Sequence, residues 1–443
     1  MACAVIVACG KGKRMYPYTE KWHKACLPVC NIPIIERMVL QLRELGIKDI
    51  RVVADGKIEQ IKHCLRKYKI SYFEAPHTTG TADAALVALN GYKRAAVVLC
   101  SDIVIDNSSL RNMLTKTNCT SVLLRPAVEN EQISFGAKVV EDKVTAIYGQ
   151  PRKSYADSVI AGVYHLSPAA LQYLKTNPGR MLKVPVGGMP PEQSVIEQSL
   201  QTFCEDGNEV IAVNAVEFAV DVNFPWDLLK ANQLAAGELL KVVNATVETK
   251  KIHSSAVIEG RVRLGKNSRI GRNVVIQGDV WIGDNTVIDY GAIIEGNCVI
   301  GSNCLIKNNC LICSDTIIGD FNKIGFCAQV SGMTLDNVCI VHHSEIYALI
   351  GSHVDIGAGT MMGTLRFDDK QSLAQAGEYA NCSYIGDYTR CGVSNVFYPG
   401  VVVGCNCALG PGAIIKSNVE SNSLILVEQQ QVKKYWGPEK YGW

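Results

Sequence analysis

A strict six-residue period limits what the second half of this chain can fold into more than any other feature. From residue 252 an isoleucine or leucine recurs at every sixth position, thirteen times in succession, and is often followed by Gly-Asp or Gly-Ser. Neither the period of a helix nor that of a flat strand produces this spacing. It is typical of a solenoid in which each hexapeptide contributes one short strand with an inward apolar side chain. The positions are Ile252, Ile258, Leu264, Ile270, Ile276, Ile282, Ile288, Ile294, Ile300, Ile306, Ile312, Ile318 and Ile324.

The same period returns after an interruption. It reappears at Ile350 and Ile356, and again from Ile385 to Ile415. The segment LRFDDKQSLAQAGEYAN between these stretches is polar and out of register, which predicts a loop outside the coil. We therefore expect a parallel β-helix over residues 252–425, with three hexapeptides to each coil.

The first half of the chain alternates between strand-like and helix-like segments. This alternation is typical of an α/β domain with a mainly parallel sheet. We assign residues 1–230 to that domain and residues 231–251 to a linker helix, because an amphipathic segment begins at Pro225. The predicted strands are Ala4–Ala8, Ile50–Ala54, Ile70–Phe73, Ala95–Cys100, Ser121–Arg125 and Glu209–Val213, and the predicted helices include Ile34–Leu45 and Ile58–Lys67.

Composition argues against several classes of protein. The formal net charge is +2 at pH 7, which argues against a nucleic-acid partner. No apolar run is long enough to span a membrane, and no signal peptide opens the chain. Eighteen cysteines are scattered singly, as in proteins of the reducing cytoplasm, where we expect this protein. The tail 426–443 holds two Trp and two Tyr residues, and we expect it to pack onto the protein.

A glycine-rich basic turn follows the first predicted strand. It reads GKGKR from Gly10 to Arg14, and glycine allows successive backbone N–H groups to face a phosphate. Lys13 and Arg14 supply charge that would neutralise a triphosphate. By itself the pattern fits an ordinary basic turn equally well. Its position favours a site, because ligands bind at the carboxyl ends of strands in such sheets.

The segment ACGKGKRMYPYTEKWHKACLPV, residues 8–29, resembles the signature of the sugar-1-phosphate nucleotidylyltransferases. The resemblance implies that Arg14 and the turn bind the nucleotide phosphates, and that Lys24 contacts the sugar phosphate or the α-phosphate. Lys13 stands where the family usually has threonine. The matching positions are Gly10, Gly12, Arg14, Met15, Pro17, Thr19, Lys24, Pro28 and Val29. The implied nucleotide-binding residues of the turn are Ala8, Gly10, Gly12 and Lys13.

Three further segments resemble the same family. In TTGTADAAL, the resemblance implies that Gly80 and Thr81 lie near the nucleotide base. In VVLCSD it implies that Asp102 binds Mg²⁺. In AVDVNFPWDLLKAN it offers Asp221 or Asn223 as the second group of the cation site, since Mg²⁺ takes oxygen ligands. Capping of the following helix is the alternative role for Asp221 and Asn223.

The resemblance implies a reaction and leaves its sugar open. The oxygen of a sugar 1-phosphate attacks the α-phosphate of a nucleoside triphosphate and pyrophosphate leaves, while the protein positions the reactants and neutralises charge. Gly149–Pro151 replaces the family's Glu-Lys-Pro, and Ile160 replaces its asparagine. Gly162 and Tyr164 remain as implied sugar-binding residues. We expect an active enzyme that acts on an unusual sugar 1-phosphate or another phosphorylated acceptor.

The segments IGAGTMMGTLRFDDK and IGDYTRCGVSNVFYPGVVVG resemble archaeal-type bifunctional sugar nucleotidylyltransferase/amino-sugar acetyltransferases. The implied fold is a Rossmann-like α/β nucleotidyltransferase domain followed by a left-handed parallel β-helix, which implies a homotrimer. His342, His343 and Tyr347 are the implied acyl-transfer residues, at altered spacing, with acetyl-CoA as a possible cofactor. Polar turn histidines are the other interpretation. Two alternative functions stay open: a non-catalytic regulatory or scaffold subunit, and an acyltransferase whose N-terminal domain only binds nucleotide-sugar.

Overall fold

The computed structural model describes residues 3–115, 119–127, 132–185, 191–243, 251–365, 379 and 381–440. An α/β domain comes first along the chain and a parallel β-helix follows it. The strands of the α/β domain are β1 (Cys3–Ala8), β2 (Pro28–Val29), β3 (Ile32–Pro33), β4 (Ile50–Ala54), β5 (Ser71–Glu74), β6 (Ala96–Cys100), β7 (Ile103–Ile105), β8 (Thr120–Arg125), β9 (Phe135–Val140), β10 (Lys143–Gly149), β11 (Ser158–Leu166), β12 (Val210–Asn214) and β13 (Ala219–Asp221).

The main sheet of this domain is mixed. Its strand order is β5-β4-β1-β6-β11-β8-β12-β10-β9. The pairs from β5 to β6 are parallel, and so is the pair of β8 with β12. Strand β11 is antiparallel to both of its neighbours, and β9 and β10 form an antiparallel hairpin. Each predicted strand has a counterpart within one residue at either end. The sheet is not mainly parallel as expected, because its parallel pairs are those from β5 to β6 and that of β8 with β12.

Helices cover the sheet and connect it to the β-helix. They are α1 (Ile34–Glu44), α2 (Ile58–Cys64), α3 (Thr81–Ala88), α4 (Asn107–Thr115), α5 (Pro168–Lys175), α6 (Ile196–Glu205) and α7 (Pro225–Lys241). Among the described residues, no helix is long and apolar enough to cross a membrane. Helix α7 starts at the predicted proline, and its residues Leu228, Ala231 and Ala235 are fully buried. They belong to a core that the α/β domain shares with the β-helix.

The hexapeptides form the predicted coil of short parallel strands. The repeated isoleucines point inward, and Ile276, Ile294 and Ile312 have no solvent exposure. Asparagines occupy corners with positive φ, such as 55° at Asn285 and 58° at Asn303, a conformation that asparagine tolerates better than most residues. The side chains of these two asparagines are joined by a hydrogen bond of 3.2 Å from one coil to the next.

The coil has three faces, and we name them A, B and C. Face A consists of β15 (Val262–Leu264), β18 (Val280–Ile282), β21 (Cys298–Ile300), β24 (Ile317–Ile318), β31 (Ser383–Ile385) and β34 (Val402–Val403). Face B consists of β14 (Val257–Ile258), β17 (Val275–Ile276), β20 (Ile293–Ile294), β23 (Leu311–Ile312), β30 (Met361–Met362), β33 (Val396–Phe397) and β36 (Ile414–Ile415). Face C consists of β16 (Arg269–Ile270), β19 (Val287–Ile288), β22 (Leu305–Ile306), β25 (Lys323–Ile324), β27 (Cys339–Ile340), β29 (Asp355–Ile356), β32 (Arg390–Cys391), β35 (Ala408–Leu409) and β37 (Leu424–Ile425).

Two coils in the middle are shortened. Strands β26 (Gln329–Thr334) and β28 (Glu345–Ile350) run without a break from face B into face A. Ile324, Ile340 and Ile356 therefore stack on face C at a spacing of sixteen residues. This shortening explains why the period of six stops after Ile324 and resumes at Ile350. The predicted loop before residue 382 lies largely outside the described residues.

Face A is covered by the α/β domain. Its outward side chains Val299, Ile317 and Leu349 are buried in the shared core. The tail differs from its prediction. Tyr435 is 75% exposed and Trp436 is 63% exposed, so the described part of the tail does not bury its aromatic surface on this chain.

Candidate active site

The glycine-rich turn is largely exposed to solvent, and hydrogen bonds with Thr19 and Asp55 fix its backbone. Gly12 has a left-handed φ of 59°, which glycine adopts without strain. Its carbonyl oxygen accepts a hydrogen bond of 2.9 Å from Thr19 Oγ1. The backbone N–H of Gly10 donates to Asp55 Oδ1 at 2.7 Å. Lys13 and Arg14 are exposed at the end of the turn, whereas Ala8 is buried as the last residue of β1.

Lys24 lies opposite the turn and contacts two predicted site residues. Its Nζ donates to Asp102 Oδ2 at 2.7 Å and to Asn223 Oδ1 at 3.1 Å. The preceding His23 fixes this segment: its Nδ1 accepts from the N–H of Ala25 at 3.1 Å, and its Nε2 lies 3.1 Å from the oxygen of Ala8. Burial lowers the pKa of His23, so the neutral ring donates from Nε2 to the end of β1.

Asn223 joins the two cations. Its Oδ1 accepts from Arg14 Nη2 at 2.6 Å and from Lys24, while its Nδ2 donates to Asp221 Oδ2 at 2.6 Å. Both lone pairs of the amide oxygen are used in this arrangement. The guanidinium of Arg14 also lies over the ring of Phe224, 5.3 Å from its centroid. The structure therefore brings together five residues that three separate sequence segments predicted: Arg14, Lys24, Asp102, Asp221 and Asn223.

Asp102 and Asp221 form a carboxylate pair beside Lys24. Strand β13 pairs with β7 so that Asp221 lies opposite Ile103, and the N–H of Val222 donates to the backbone carbonyl oxygen of Asp102 at 2.9 Å. Burial and the neighbouring Asp102 charge raise the pKa of Asp221 to about 7. Two neighbouring carboxylates offer the oxygen ligands that a divalent cation prefers. Among the described residues, no group of three or more His, Cys, Asp or Glu side chains is placed to hold a metal ion.

Asp227 is the helix cap at this site. Its Oδ2 accepts from the N–H groups of Asn223 at 2.9 Å and Phe224 at 2.7 Å, at the start of α7. The alternative role considered for Asp221 and Asn223 thus belongs to Asp227. This cap stabilises the turn that carries the other two side chains.

Gly80 and Thr81 hold the start of α3 against another segment. A Cβ on Gly80 would lie 2.3 Å from the carbonyl oxygen of Ser194, so no larger residue fits. Thr81 Oγ1 accepts from the N–H of Ile196 at 3.1 Å. Beside this contact a cavity of about 410 Å³ is lined by Glu74, Ala75, Pro76, His77, Thr78, Asp83, Leu86 and Val87.

Of the two predicted sugar-binding residues, Tyr164 lies below the surface of the site and Gly162 is partly exposed. Tyr164 is fully buried, and its hydroxyl donates a short hydrogen bond to Glu197. Gly162 has a φ of 66° and packs against Cys100. The structure thus places Tyr164 in a supporting layer, and no direct sugar contact follows from its position.

Comparison with known proteins decides the family. The model of the family described as nucleotidyl transferase matches residues 3–233, more than half of the chain. The chain belongs to the nucleotidyl transferase family. The model for six repeats of the bacterial transferase hexapeptide matches residues 261–296 and 279–314. These matches confirm the predicted nucleotidyltransferase domain, followed along the chain by a hexapeptide β-helix.

Curated relatives match this nucleotidyl transferase over nearly its full length. The bifunctional protein GlmU of Methanococcus aeolicus is 28% identical over 97% of this chain and 98% of its own. The bifunctional sugar-1-phosphate nucleotidylyltransferase/acetyltransferase of Sulfurisphaera tokodaii is 25% identical over 94% of this chain and 98% of its own. Among solved structures, a UDP-glucose pyrophosphorylase complexed with UDP-glucose aligns with a TM-score of 0.46 and 15% identity, covering 54% of this chain and 99% of that one.

In the β-helix of this nucleotidyl transferase the three predicted acyl-transfer residues do not lie together: the two histidines are in one place and Tyr347 is in another. The rings of His342 and His343 pack on Phe326, at centroid distances of 4.8 and 4.9 Å. Tyr347 lies on β28 and packs against the shared core under the α/β domain. A cavity of about 520 Å³ adjoins His342 at the corner between faces C and B. Its lining residues are Lys307, Asn308, Asn309, Lys323, Gly325, Phe326, Cys339, Ile340, Val341 and His342.

Three residues of the site were not predicted from the sequence. Asp55 directly follows β4, a position at a strand's carboxyl end that could have identified it. Asp227 stands three residues after Phe224, a spacing typical of helix capping. His23 gave no signal, because a single histidine beside a conspicuous lysine has no pattern that reveals its partners.

Proposed function

We propose that this nucleotidyl transferase transfers a nucleotidyl group from a nucleoside triphosphate to a sugar 1-phosphate, giving a nucleotide-sugar and pyrophosphate. One observation carries the proposal: Arg14 and Lys24 share the amide oxygen of Asn223, and Lys24 also pairs with the carboxylate of Asp102, at the mouth of the glycine-rich turn. Cations and a cation-binding carboxylate within one hydrogen-bonded group are what a transferring phosphate requires. The names of the full-length relatives support the substrate class.

The chain's residues act by binding and orienting phosphates. Arg14 and the turn hold the nucleotide phosphates, and Lys24 leaves Asp102 to contact the α-phosphate or the sugar phosphate. Asp102 and Asp221 hold Mg²⁺, which neutralises charge on the phosphates when it is bound. Asn223 keeps Arg14 and Lys24 at a fixed separation. The attacking phosphate oxygen is already ionised, so the step needs no proton-transfer residue.

Release of pyrophosphate tests this proposal. The full chain is assayed with Mg²⁺ over an array of nucleoside triphosphates and sugar 1-phosphates. We expect one pair to give turnover, and Lys24→Ala to lower kcat by about 100-fold or more, because the variant lacks a charge at the reacting phosphate. Lys62→Ala is the control, since Lys62 pairs with Glu59 on the surface of α2. Nucleotide binding without turnover for every pair would show a regulatory subunit instead.

A second activity, transfer of an acetyl group from acetyl-CoA to an amino-sugar, is favoured by the cavity at His342. The cavity combines a histidine, an aromatic ring and two lysines, Lys307 and Lys323, which suit an acyl donor that carries phosphates. We expect acetyl-CoA turnover with an amino-sugar phosphate, and loss of it in the double variant His342→Ala/His343→Ala. His253→Ala, a surface histidine of the first coil, is the control. Turnover unaffected by the double variant contradicts this assignment.

The protein assembles as a homotrimer and works in the reducing cytoplasm. Face B supports the assembly, because its outward residues Val257, Ile293 and Ile414 leave 50%, 38% and 57% of their surface exposed. All eighteen cysteines lie in described residues and are free thiols, which supports the location.

A further inference from the structure

The segment between the two cations of the site extends into the β-helix. Residues 16–20, which we call the brace loop, connect Arg14 to the segment that carries Lys24. Tyr18 in this loop is fully buried, and its hydroxyl donates a hydrogen bond of 2.6 Å to the carbonyl oxygen of Leu349 in the β-helix. Burial raises the pKa of Tyr18 well above its usual range, so the hydroxyl keeps its proton and remains a donor.

Two more contacts fix the brace loop to the same part of the β-helix. Cys405 Sγ lies 3.4 Å from the carbonyl oxygen of Pro17. Ser421 Oγ is 2.6 Å from Glu20 Oε2 and donates to it. From the opposite side Lys57 donates to the carbonyl oxygens of brace-loop residues at 2.7 and 3.1 Å. The loop is therefore held between the two domains along its whole length.

The brace loop in turn supports the glycine-rich turn. Thr19, the neighbour of Tyr18, donates the 2.9 Å hydrogen bond to the oxygen of Gly12. A Cβ on Gly12 would lie only 3.1 Å from Thr19 Cγ2, so the two segments are in close contact. A shift of the brace loop must therefore move Gly12 and, two residues later, Arg14.

We propose that the β-helix is a working part of the nucleotide-phosphate site, and that Tyr18 is a positioning residue that holds Gly12 and Arg14 through the brace loop. This inference rests on the nucleotidyl transfer proposed above. The turn contains two glycines and exposed cations, so it needs outside support to keep its backbone N–H groups oriented. Groups that are fixed in advance stabilise a transition state without reorganisation, and small displacements of them are costly.

The same domain interface contains a contact that serves as a matched control. Asn31 Nδ2 donates a hydrogen bond of 2.8 Å to the carbonyl oxygen of Ile318. Like the bond from Tyr18, it joins a side chain of the α/β domain to a backbone oxygen of the β-helix. It touches neither the brace loop nor the glycine-rich turn. Asn31→Gly removes it without strain, because Asn31 has a φ of 63° that glycine accepts.

The test compares Tyr18→Phe with Asn31→Gly in the full-length protein. We expect Tyr18→Phe to lower kcat/KM for the nucleoside triphosphate by about tenfold, while KM for the sugar phosphate changes less than twofold. We expect Asn31→Gly to keep all these constants within twofold of the parent. Hydrogen exchange of the peptide covering residues 9–22, measured without ligand, is expected to rise several-fold in Tyr18→Phe only. The midpoints of thermal unfolding show whether the two substitutions destabilise the protein to the same extent.

Each outcome decides the inference. Equal exchange in Tyr18→Phe and the parent overturns it, and so does a loss of activity that Asn31→Gly shares. If the parent protein releases no pyrophosphate with any substrate pair, the proposed function fails, and the exchange measurement still shows whether Tyr18 holds the turn. Faster exchange with unchanged kinetics also overturns the inference, because the turn would then work without its support.

Discussion

Glu197 is a buried carboxylate beneath the proposed site. It accepts a hydrogen bond from Tyr164 through Oε1, and its buried Oε2 has no hydrogen-bond partner among the described residues. Burial raises the pKa of Glu197 above its usual value of 4.5, against the lowering effect of Tyr164. Folding therefore favours the protonated acid, which can satisfy a buried position at lower cost than the carboxylate.

The variant Glu197→Gln tests this burial. Because the folded pKa is raised above the usual 4.5, the stability that the acid contributes is complete below the unfolded pKa and is lost as pH rises through the folded pKa. Glutamine lacks this dependence. The variant should therefore gain stability relative to the parent as pH rises between these two pKa values, by at most about 1.4 kcal/mol per pH unit.

The measurement is the free energy of unfolding of the α/β domain in urea at pH 5, 6, 7 and 8. Glu59→Gln removes an exposed carboxylate of α2 and shows the effect of one lost surface charge. A difference between Glu197→Gln and the parent that stays constant over this range would contradict the assignment of a buried acid.

Some site residues could be predicted from the sequence and others could not, because only some of them lie in recognisable motifs. Arg14 and Lys24 occur in a long signature at fixed spacing, and Asp102 lies two residues after the strongly apolar strand β6, so chemistry and position coincide in the sequence. His23 and Glu197 act through contacts with residues far away in the chain. A single polar residue carries no periodicity, so its burial and its partners appear only when the chain is folded.

At the level of elements, strand positions were predictable and strand directions were not. Local runs of β-branched residues locate β1, β4, β6 and β12 to within one residue. Strand β11 is central and antiparallel to β6 and β8, yet its sequence SVIAGVYHL differs little from a parallel strand. Direction depends on which neighbours the chain returns to, which is a tertiary property.

In the β-helix, by contrast, the pairing of the strands could be predicted from the sequence as well as their positions. Each of its strands pairs with the strand one coil away, so the repeat in the sequence directly reports the fold. The exception is where β26 and β28 cross a corner and the spacing falls to sixteen residues. There the period fails locally, while the coil continues because its inward positions Val330 and Ile346 still stack in register.

For the whole molecule, the three faces of the β-helix have different environments. Face A is buried under the α/β domain. Face C carries charges, including the ion pair of Arg390 with Asp355. Face B presents a ladder of outward apolar residues interrupted by Gln329 and Glu345. An apolar stripe along a full face is typical of an interface between subunits.

Charges placed on face B should dissociate the proposed trimer. We expect the parent chain to give a mass of about 145 kDa by light scattering, three times its 48.2 kDa. The double variant Ile293→Lys/Ile414→Lys should elute as a monomer, because two lysines would lose their hydration in the interface. Leu305→Lys, on face C, should leave the trimer intact.

Because the cavity at His342 lies at the edge of face B, acetyl transfer should fall with dissociation, while nucleotidyl transfer persists on the opposite side of the β-helix. A parent chain that is monomeric, or a double variant that stays trimeric, would exclude face B as the interface.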